Sequence, residues 1–224
     1  MTDAGNIGFR EEVIRKLIHL TSLSIPTIYT QVSREFALSV LIPLALIALF
    51  IDIGQHFFAP IRTFMQRYFG ALLRPHEKDE KKILLNGATY VLISAVLCVA
   101  IFPKVIMVTA FSILIISDIS SALIGRAFGR HRFLDKSLEG SVAFAISAFL
   151  TVYVIGTIYD APLPYFYFGA LAGIVGAVAE AASIRLRMDD NLTIPLSIGF
   201  TLWGLLFLLD PATRNAILSM IPET

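Results

Sequence analysis

Asp118 interrupts an otherwise apolar run and begins a segment rich in polar side chains, SDISSALIGRAFGRHRFLDKSLEG at residues 117–140. A carboxylate at membrane depth is costly, so it is retained where it has a function or a partner. Three glycines, four lysines or arginines and Glu139 follow it within the same segment. Carboxylates suit Mg²⁺, and glycine backbone together with guanidinium groups suits phosphate. The segment therefore predicts a site for a nucleotide phosphate and its metal ion at the edge of a bilayer.

Asp118 shares a helix face with three small residues at i+3, i+4 and i+7, which are Ser121, Ala122 and Gly125. The space beside the carboxylate could serve a neighbouring helix, because small residues promote close helix packing. It could equally admit a metal ion with phosphates. We favour the metal ion, since acids within a membrane are functional by default.

The residues that follow predict phosphate contacts. Gly125 and Gly129 would let the backbone approach a polyanion. Arg126 and Arg130 would bind phosphate oxygens in a bidentate manner. The segment is not a Walker loop, since it lacks the G-x-x-x-x-G-K-[ST] pattern and no predicted strand precedes it. An inner loop that merely orients the protein would explain the cations but not the glycines.

Further polar residues flank two other apolar runs. Ser137 could cap an incoming helix, Lys136 would supply a point charge for a transferring phosphate, and Glu139 would hold the metal or orient that lysine. Arg15 and His19 lie four apart on one helix face. Arg15 would then contact phosphate and His19 would lie near an acceptor hydroxyl. A snorkelling cation beside a polar core histidine is an equal alternative.

Composition places the chain among membrane proteins. Its 224 residues are 56% hydrophobic with a mean hydropathy of +0.76, more apolar than a soluble domain. Continuous apolar runs recur, whereas a β-barrel would show short alternating segments. The net charge of +1 gives no argument for a nucleic-acid partner, and one cysteine excludes an intrachain disulfide. We predict seven transmembrane helices, at about residues 17–33, 36–58, 83–102, 105–125, 141–158, 164–184 and 192–209.

Lysines and arginines alternate between rich and poor segments along these spans. Fifteen of the 18 fall on one side, which the positive-inside rule assigns to the cytoplasm. The N-terminus is then expected inside and the C-terminus outside. All candidate site residues lie on the cytoplasmic face, including Glu180 near the end of span six and Asp190 with Asn191 at the start of span seven.

Two further features lie on that face. Residues 59–82 carry apolar side chains near helical spacing with arginines between them, which predicts an amphipathic helix on the membrane surface that ends at Pro75. This helix could be a plain surface anchor or a route for a lipid substrate to enter sideways. Asp52 and His56, four residues apart, are predicted to pair with each other.

Three blocks of sequence resemble one known family. The first is Glu12-Val-Ile-Arg15-Lys16-Leu-Ile-His19, the second runs from Asp118 to Gly140, and the third joins Glu180 to Asp190-Asn191-Leu192-Thr193-Ile194-Pro195. In order and type these blocks are similar to those of the CTP-dependent lipid-alcohol kinases, which comprise dolichol kinase, phytol kinase and the CTP-dependent diacylglycerol kinase. That family is related in pattern to the phosphatidate cytidylyltransferases.

The resemblance implies CTP as the phosphoryl donor, Mg²⁺ or a similar divalent cation, and a membrane-resident lipid alcohol as acceptor. We expect one all-α integral-membrane kinase domain, residues 1–224, acting on a polyprenol-, dolichol- or phytol-like alcohol at the cytoplasmic face. The expected catalytic residues are Asp118, Lys136, Glu139 and His19. The expected nucleotide or phosphate-binding residues are Arg15, Lys16, Gly125, Arg126, Gly129, Arg130, Lys136, Asp190 and Asn191. The expected metal ligands are Asp118, Glu139 and Glu180.

Alternatives stay open. The reaction could be cytidylyl transfer onto a phosphatidic acid, or the acceptor could be diacylglycerol. A small transporter with an intramembrane acid is disfavoured, because the polar residues cluster on one face and no repeat is present. The GxxxG spacing leaves a homodimer open. We expect the bilayer to be a prokaryotic plasma membrane.

Overall fold

The computed structural model describes residues 9–69, 85–186 and 188–223. Over these ranges it is helical apart from one short hairpin, which agrees with the predicted all-α class. The elements in chain order are α1 Phe9–Thr21, α2 Ser24–Tyr29, α3 Arg34–Phe57, α4 Ala59–Phe69, α5 Gly87–Ile101, α6 Lys104–Phe128, β1 Arg132–Phe133, β2 Lys136–Ser137, α7 Leu138–Ile158, α8 Leu163–Leu186, α9 Asp190–Leu206 and α10 Pro211–Leu218. The strands are antiparallel, with Arg132 opposite Ser137 and Phe133 opposite Lys136.

Among the described helices, four are long and apolar enough to cross a membrane: α3, α6, α7 and α8. The prediction of seven single-helix spans is therefore not confirmed. Helix α5 is apolar but has only 15 residues. The predicted span at 17–33 is wrong as one helix, because the helical run breaks after Thr21 and resumes at Ser24.

The two short helices α1 and α2 nevertheless run along α6. Lys16 of α1 contacts Asp118 in the second half of α6, and the Tyr29 ring of α2 lies 5.3 Å from the Lys104 ammonium at the start of α6. Fourteen residues of α-helix separate these two points, which is about 21 Å at 1.5 Å per residue. The N-terminal segment thus passes between the two ends of the bundle.

Helix α6 is the centre of the bundle. Every residue from Lys104 to Ile115 is buried, because α1, α2, α5, α7, α8, α9 and α10 all pack against it. A helix that is apolar on every side belongs in an interior, and α6 follows this rule. Helix α3 shows the opposite pattern and exposes Phe36, Leu46 and Phe50. Asp118 is therefore carried on the most buried of the four membrane-length helices that the structure describes.

Close contacts between small residues join the helices around this centre. A Cβ on Gly169 would lie 2.6 Å from the Val152 side chain, and one on Gly173 would lie 2.8 Å from Ala148. Helices α7 and α8 can approach so closely because these positions lack a side chain.

The end of the bundle opposite Asp118 is closed by the C-terminal residues. The buried Lys104 donates to the Val32 carbonyl at 3.0 Å and to the Pro222 carbonyl at 2.8 Å. Arg34 donates to the Phe102 carbonyl at 3.1 Å. Backbone oxygens therefore hold the Lys104 ammonium, which is fully buried in a position where a free charge would be costly, and Arg34 also lies 3.5 Å from Glu223 Oε1.

The predicted amphipathic segment 59–82 is helical over its first part, α4, and residues 70–82 lie outside the described ranges. Arg62 fixes the corner between α3 and α4 by donating to the carbonyls of Gln55 and His56, at 3.0 and 3.1 Å. Met65 is buried and Phe64 is exposed, as expected for a helix with two unlike faces.

Asp52 binds a different partner from the predicted one. Its carboxylate accepts from the Asn86 backbone N–H at 2.8 Å and from Asn86 Nδ2 at 2.6 Å. Asn86 in turn caps α5 by accepting from Thr89 N. The predicted Asp52–His56 pair is wrong as a direct contact, because donors from the start of α5 take the carboxylate and His56 interacts with it only electrostatically. Asp52 instead ties the end of α3 to the start of α5.

Candidate functional site

Helix α1 brings two cationic side chains to Asp118. Lys16 and Asp118 are 6% and 4% exposed, and the Lys16 ammonium forms an ion pair with Asp118 Oδ2. His19, three residues further along α1, places Nε2 3.7 Å from the same oxygen. The opposite face of α1 exposes Leu17 and Ile18. The amphipathic pattern of α1 therefore directs its polar face to α6.

A second ion pair lies beside the first. Lys136 Nζ of strand β2 is 2.8 Å from Glu180 Oε1 of α8 and 3.8 Å from Asp190 Oδ2 of α9. Ser121, one turn beyond Asp118 on α6, donates its hydroxyl to Glu180 Oε1 at 3.2 Å. Four elements that are distant in sequence thus converge on one point. We call Lys16, Asp118, Lys136, Glu180 and Asp190 the lysine–carboxylate cluster.

The cluster holds Lys136 in its charged form. Desolvation of the partly buried side chain lowers the pKa of Lys136. The negative charges of Glu180 and Asp190 raise that pKa by more, so it lies above its ordinary value. Lys136 is therefore an ammonium ion throughout the physiological range, as a point charge for phosphate must be.

The glycines of the segment explain how Lys136 is positioned. A Cβ on Gly125 would lie 2.9 Å from Ser137 Oγ, and one on Gly140 would lie 2.9 Å from the Ser121 carbonyl. A Cβ on Gly129 would lie 2.2 Å from the Gly125 carbonyl oxygen and 2.8 Å from Ser137 Cβ. The end of α6 can meet the hairpin only because these side chains are missing. This gives the glycines a packing role, and their predicted phosphate contacts stay a prediction.

Ser137 caps α7, as predicted, by accepting from Gly140 N at 3.1 Å. The cap fixes the position where β2 ends and α7 begins. Because Lys136 immediately precedes this cap, its backbone is set by the same contact.

Glu139 does not join the cluster. Its carboxylate accepts from the backbone N–H groups of Arg130 at 3.0 Å and His131 at 3.2 Å, and it contacts His131 Nδ1 at 2.7 Å. Glu139 therefore organises the loop between α6 and β1. Arg126 and Arg130 are exposed at this end of the bundle.

The predicted set of metal ligands is consequently not assembled. Within residues 9–69, 85–186 and 188–223, no group of three or more His, Cys, Asp or Glu side chains is placed to hold a metal ion. Glu139 is engaged with the loop, whereas Asp118 and Glu180 lie close enough to interact electrostatically. Only these two of the three predicted ligands share a site.

Asp118 and Glu180 suit a divalent cation that also binds phosphate. Mg²⁺ usually takes one or two carboxylates and completes its shell with water and substrate phosphates. Glu180 Oε2 is buried and has no hydrogen-bond partner in the described part of the chain. A buried carboxylate oxygen without a partner is costly, so a ligand for it is expected.

The start of α9 is organised by a residue that sequence reasoning did not single out for this purpose. Asp189 caps α9 and accepts from Asn191 N at 3.0 Å and from Asn191 Nδ2 at 2.7 Å. The amide of Asn191 is thus engaged with the cap. The run of Asp189, Asp190 and Asn191 before an apolar stretch is itself a helix-start signal. Ser121 was also missed as a donor, although its i+3 spacing from Asp118 could have indicated it.

No family model and no solved structure matches the chain. The chain is similar to uncharacterized protein RP860 of Rickettsia prowazekii, with 33% identity over 197 residues that cover 84% of this chain and 92% of RP860. The chain belongs to the same family as RP860.

Two more distant homologues carry enzyme names. CTP-dependent diacylglycerol kinase 1 of Schizosaccharomyces pombe is 27% identical over 142 residues, which cover 58% of this chain and 65% of that enzyme. Dolichol kinase sec59 of the same organism is 32% identical over 81 residues, which cover 35% of this chain and 16% of that enzyme. These homologues support the resemblance to CTP-dependent lipid kinases, and they do not single out one member of that family.

Proposed function

We propose that this protein transfers the γ-phosphoryl group of CTP to a membrane lipid alcohol at the cytoplasmic face. The lysine–carboxylate cluster carries the proposal, because it gathers buried cations and acids at one end of a bundle of membrane-length helices. The names of the homologous kinases support CTP as the donor and a lipid as the acceptor. The acceptor we favour is a polyprenol-, dolichol- or phytol-like alcohol.

Phosphoryl transfer needs positioning and charge stabilisation more than covalent chemistry. Lys16 of α1 and Lys136 of β2 would bind the β- and γ-phosphate oxygens, and Arg15 precedes Lys16 on α1. Asp118 and Glu180 would hold Mg²⁺ at the same point. The bound ion would neutralise charge that develops on the phosphate oxygens.

The acceptor hydroxyl would reach this site from the lipid side of α1. Leu17 and Ile18 are exposed on that side, and His19 lies next to Asp118 on the other. The hydroxyl oxygen forms a bond to the γ-phosphorus while the bond from that phosphorus to the β–γ bridging oxygen breaks. CDP leaves, and the hydroxyl proton passes to His19 or Asp118. His19 Nε2 suits this role, because it is buried and has no hydrogen-bond partner among the described residues.

Diacylglycerol is the second candidate acceptor. The match to the diacylglycerol kinase extends over 142 residues and that to the dolichol kinase over 81. Both acceptors present a primary hydroxyl at the membrane surface, so the same cluster would serve either one.

We further propose that the N-terminus is cytoplasmic, the C-terminus is outside, and the chain makes seven passes. In support, Lys16 lies at the cluster while Pro222 contacts Lys104 at the opposite end of α6. Cations concentrate at the cluster end, as the positive-inside rule requires of a cytoplasmic face. A prokaryotic plasma membrane remains part of the proposal, and the homodimer that the GxxxG spacing left open stays an open alternative.

The test uses purified protein in detergent with Mg²⁺ and γ-labelled CTP, with labelled ATP in parallel. The acceptors are phytol, geranylgeraniol, undecaprenol, dolichol and diacylglycerol. Label that enters the lipid phase from CTP but not from ATP supports the proposal and names the acceptor. Release of pyrophosphate in the presence of phosphatidic acid would assign cytidylyl transfer instead.

A site variant completes this test. Asp118→Asn should abolish transfer when assayed below its unfolding temperature, because it removes a proposed metal ligand and the partner of Lys16. Full activity in this variant would remove Asp118 from the mechanism.

A further inference from the structure

The lysine–carboxylate cluster consists of two ion pairs and one additional acid, Asp190, which lies 3.8 Å from Lys136. Lys16 is paired with Asp118, and Lys136 is paired with Glu180. Both lysines and both acids that the proposed reaction needs are thus already bound to each other. On the basis of the proposed function, we propose that Lys16 and Lys136 are resident counter-ions that leave Asp118 and Glu180 for phosphate when a divalent cation and a triphosphate bind together.

Burial makes this exchange cooperative. Lys16, Asp118 and Glu180 are 6%, 4% and 1% exposed. Removing one partner of a buried ion pair is strongly unfavourable, because the other charge stays unpaired. A divalent cation that took Asp118 alone would strand the buried Lys16, and a triphosphate that took Lys16 alone would strand the buried Asp118. Only the two ligands together leave every charge with a partner.

Glu180 is already arranged for such an exchange. Its Oε1 accepts from Lys136 and Ser121, at 2.8 and 3.2 Å, while Oε2 is buried without a hydrogen-bond partner in the described ranges. If Lys136 leaves, Ser121 still holds the carboxylate in place. Glu180 then offers a hard cation the unpaired Oε2 and the side of Oε1 that Lys136 has left.

The Lys136 side chain has room to move. Its side chain is 32% exposed, so the ammonium can turn towards an incoming phosphate without crossing the packed core. Its backbone does not need to move, because Ser137 and Gly140 anchor the junction between β2 and α7. The exchange is therefore a movement of side chains within a fixed frame.

The decisive test measures binding of Mn²⁺ alone, with no nucleotide or lipid present. Free Mn²⁺ is followed by its electron paramagnetic resonance signal in detergent solutions of wild type, Lys16→Met and Lys136→Met. Each variant frees a carboxylate from its competing cation. We expect Mn²⁺ affinity to rise at least about tenfold, within the range of ordinary coupling between sites. The same variants should bind the complex of Mn²⁺ with β,γ-methylene-CTP more weakly than wild type.

Matched controls isolate the effect. Arg185→Met removes a cation from the Asp135 carboxylate, 3.2 Å away outside the cluster, and should leave Mn²⁺ affinity unchanged. Lys136→Met combined with Glu180→Gln should lose the gain seen with Lys136→Met alone. If Lys16→Met does not fold, Lys136→Met still decides the matter, because Lys136 is partly exposed.

Equal Mn²⁺ affinity in wild type and in the folded lysine variants would overturn the exchange. So would a gain that persists in the double variant. Since the titration contains neither CTP nor lipid, its result is separate from the transfer assay. A gain in Mn²⁺ affinity without labelled lipid would refute the kinase and leave the exchange standing, and the reverse pattern would refute only the exchange.

Discussion

A double-mutant cycle on Lys16 and Asp118 tests the centre of this structure through stability. Both residues are almost fully buried, at 6% and 4% exposure, so solvent screens their ion pair very little. Asp118→Asn leaves the Lys16 ammonium buried without its counter-ion. Lys16→Met leaves the Asp118 carboxylate buried without its lysine partner. Breaking one side of such a pair costs about 3–5 kcal/mol.

The double variant should recover most of this loss. Replacing both partners by neutral groups removes the stranded charge, which is often nearly neutral for stability. Two single losses of about 3–5 kcal/mol each, against a double variant that is nearly neutral, give a coupling energy of about 6 kcal/mol or more. For a protein of this size each kcal/mol corresponds to about 2–4 °C, so each single variant should unfold about 6–20 °C earlier.

Trp203 provides the assay, because it is the only tryptophan in the chain. Its ring packs edge-on against Phe102, with 6.0 Å between ring centroids, so its fluorescence reports on the contact between α9 and the end of α5. Thermal unfolding in detergent is followed by this signal. The matched control is Arg185→Gln, which breaks the Asp135 pair of an arginine that is 58% exposed and should cost less than about 1 kcal/mol. A shift in Asp118→Asn no larger than that of the control would refute the buried pair.

Three further predictions concern packing and tethering. Gly129→Ala should cost about 1–3 kcal/mol in thermal unfolding, because its Cβ would lie 2.2 Å from a backbone oxygen. The control is Gly204→Ala, whose Cβ would have no atom within 4 Å and which should be neutral or slightly stabilising. Equal losses of stability in the two variants would contradict the packing argument. Asp52→Ala strands two amide donors at the start of α5 and should cost about 1–3 kcal/mol, with faster hydrogen exchange at residues 85–90; unchanged exchange there would refute the tether. Lys104→Met frees the carbonyls of residues 32 and 222, so residues 211–223 should become more sensitive to protease, and equal sensitivity would show that another contact holds them.

Much of the helical architecture follows from the order of apolar runs and their ends. The long apolar runs became α3, α6, α7 and α8, and Ser137 caps α7 as predicted. These features are local, because they depend on hydrophobic length and on a side chain reaching the next turn. Hydrophobic length did not predict the break between α1 and α2 or the short helix α5. Burial against α6 allows these helices to be shorter than a membrane span.

Local spacing was a poor guide to polar pairing. Asp52 and His56 lie four apart, yet Asp52 accepts from Asn86, 34 residues away. Glu139 was predicted to hold metal, yet backbone N–H groups of the preceding loop between α6 and β1 take its carboxylate. Backbone donors at helix starts and loops compete well for a carboxylate, and only the fold shows which of them are near.

The sequence by itself determined the kind of protein and the kinds of side chain at its site. Apolar runs require a helical membrane protein, and acids with lysines on one face predict phosphate and metal chemistry. Only the tertiary structure showed which lysine pairs with which carboxylate. Lys16 meets Asp118 across 102 residues and Lys136 meets Glu180 across 44, because α1, β2 and α8 all pack around one end of α6. Helix packing brings these charges together, and the cost of leaving any one of them unpaired in a buried place holds them there.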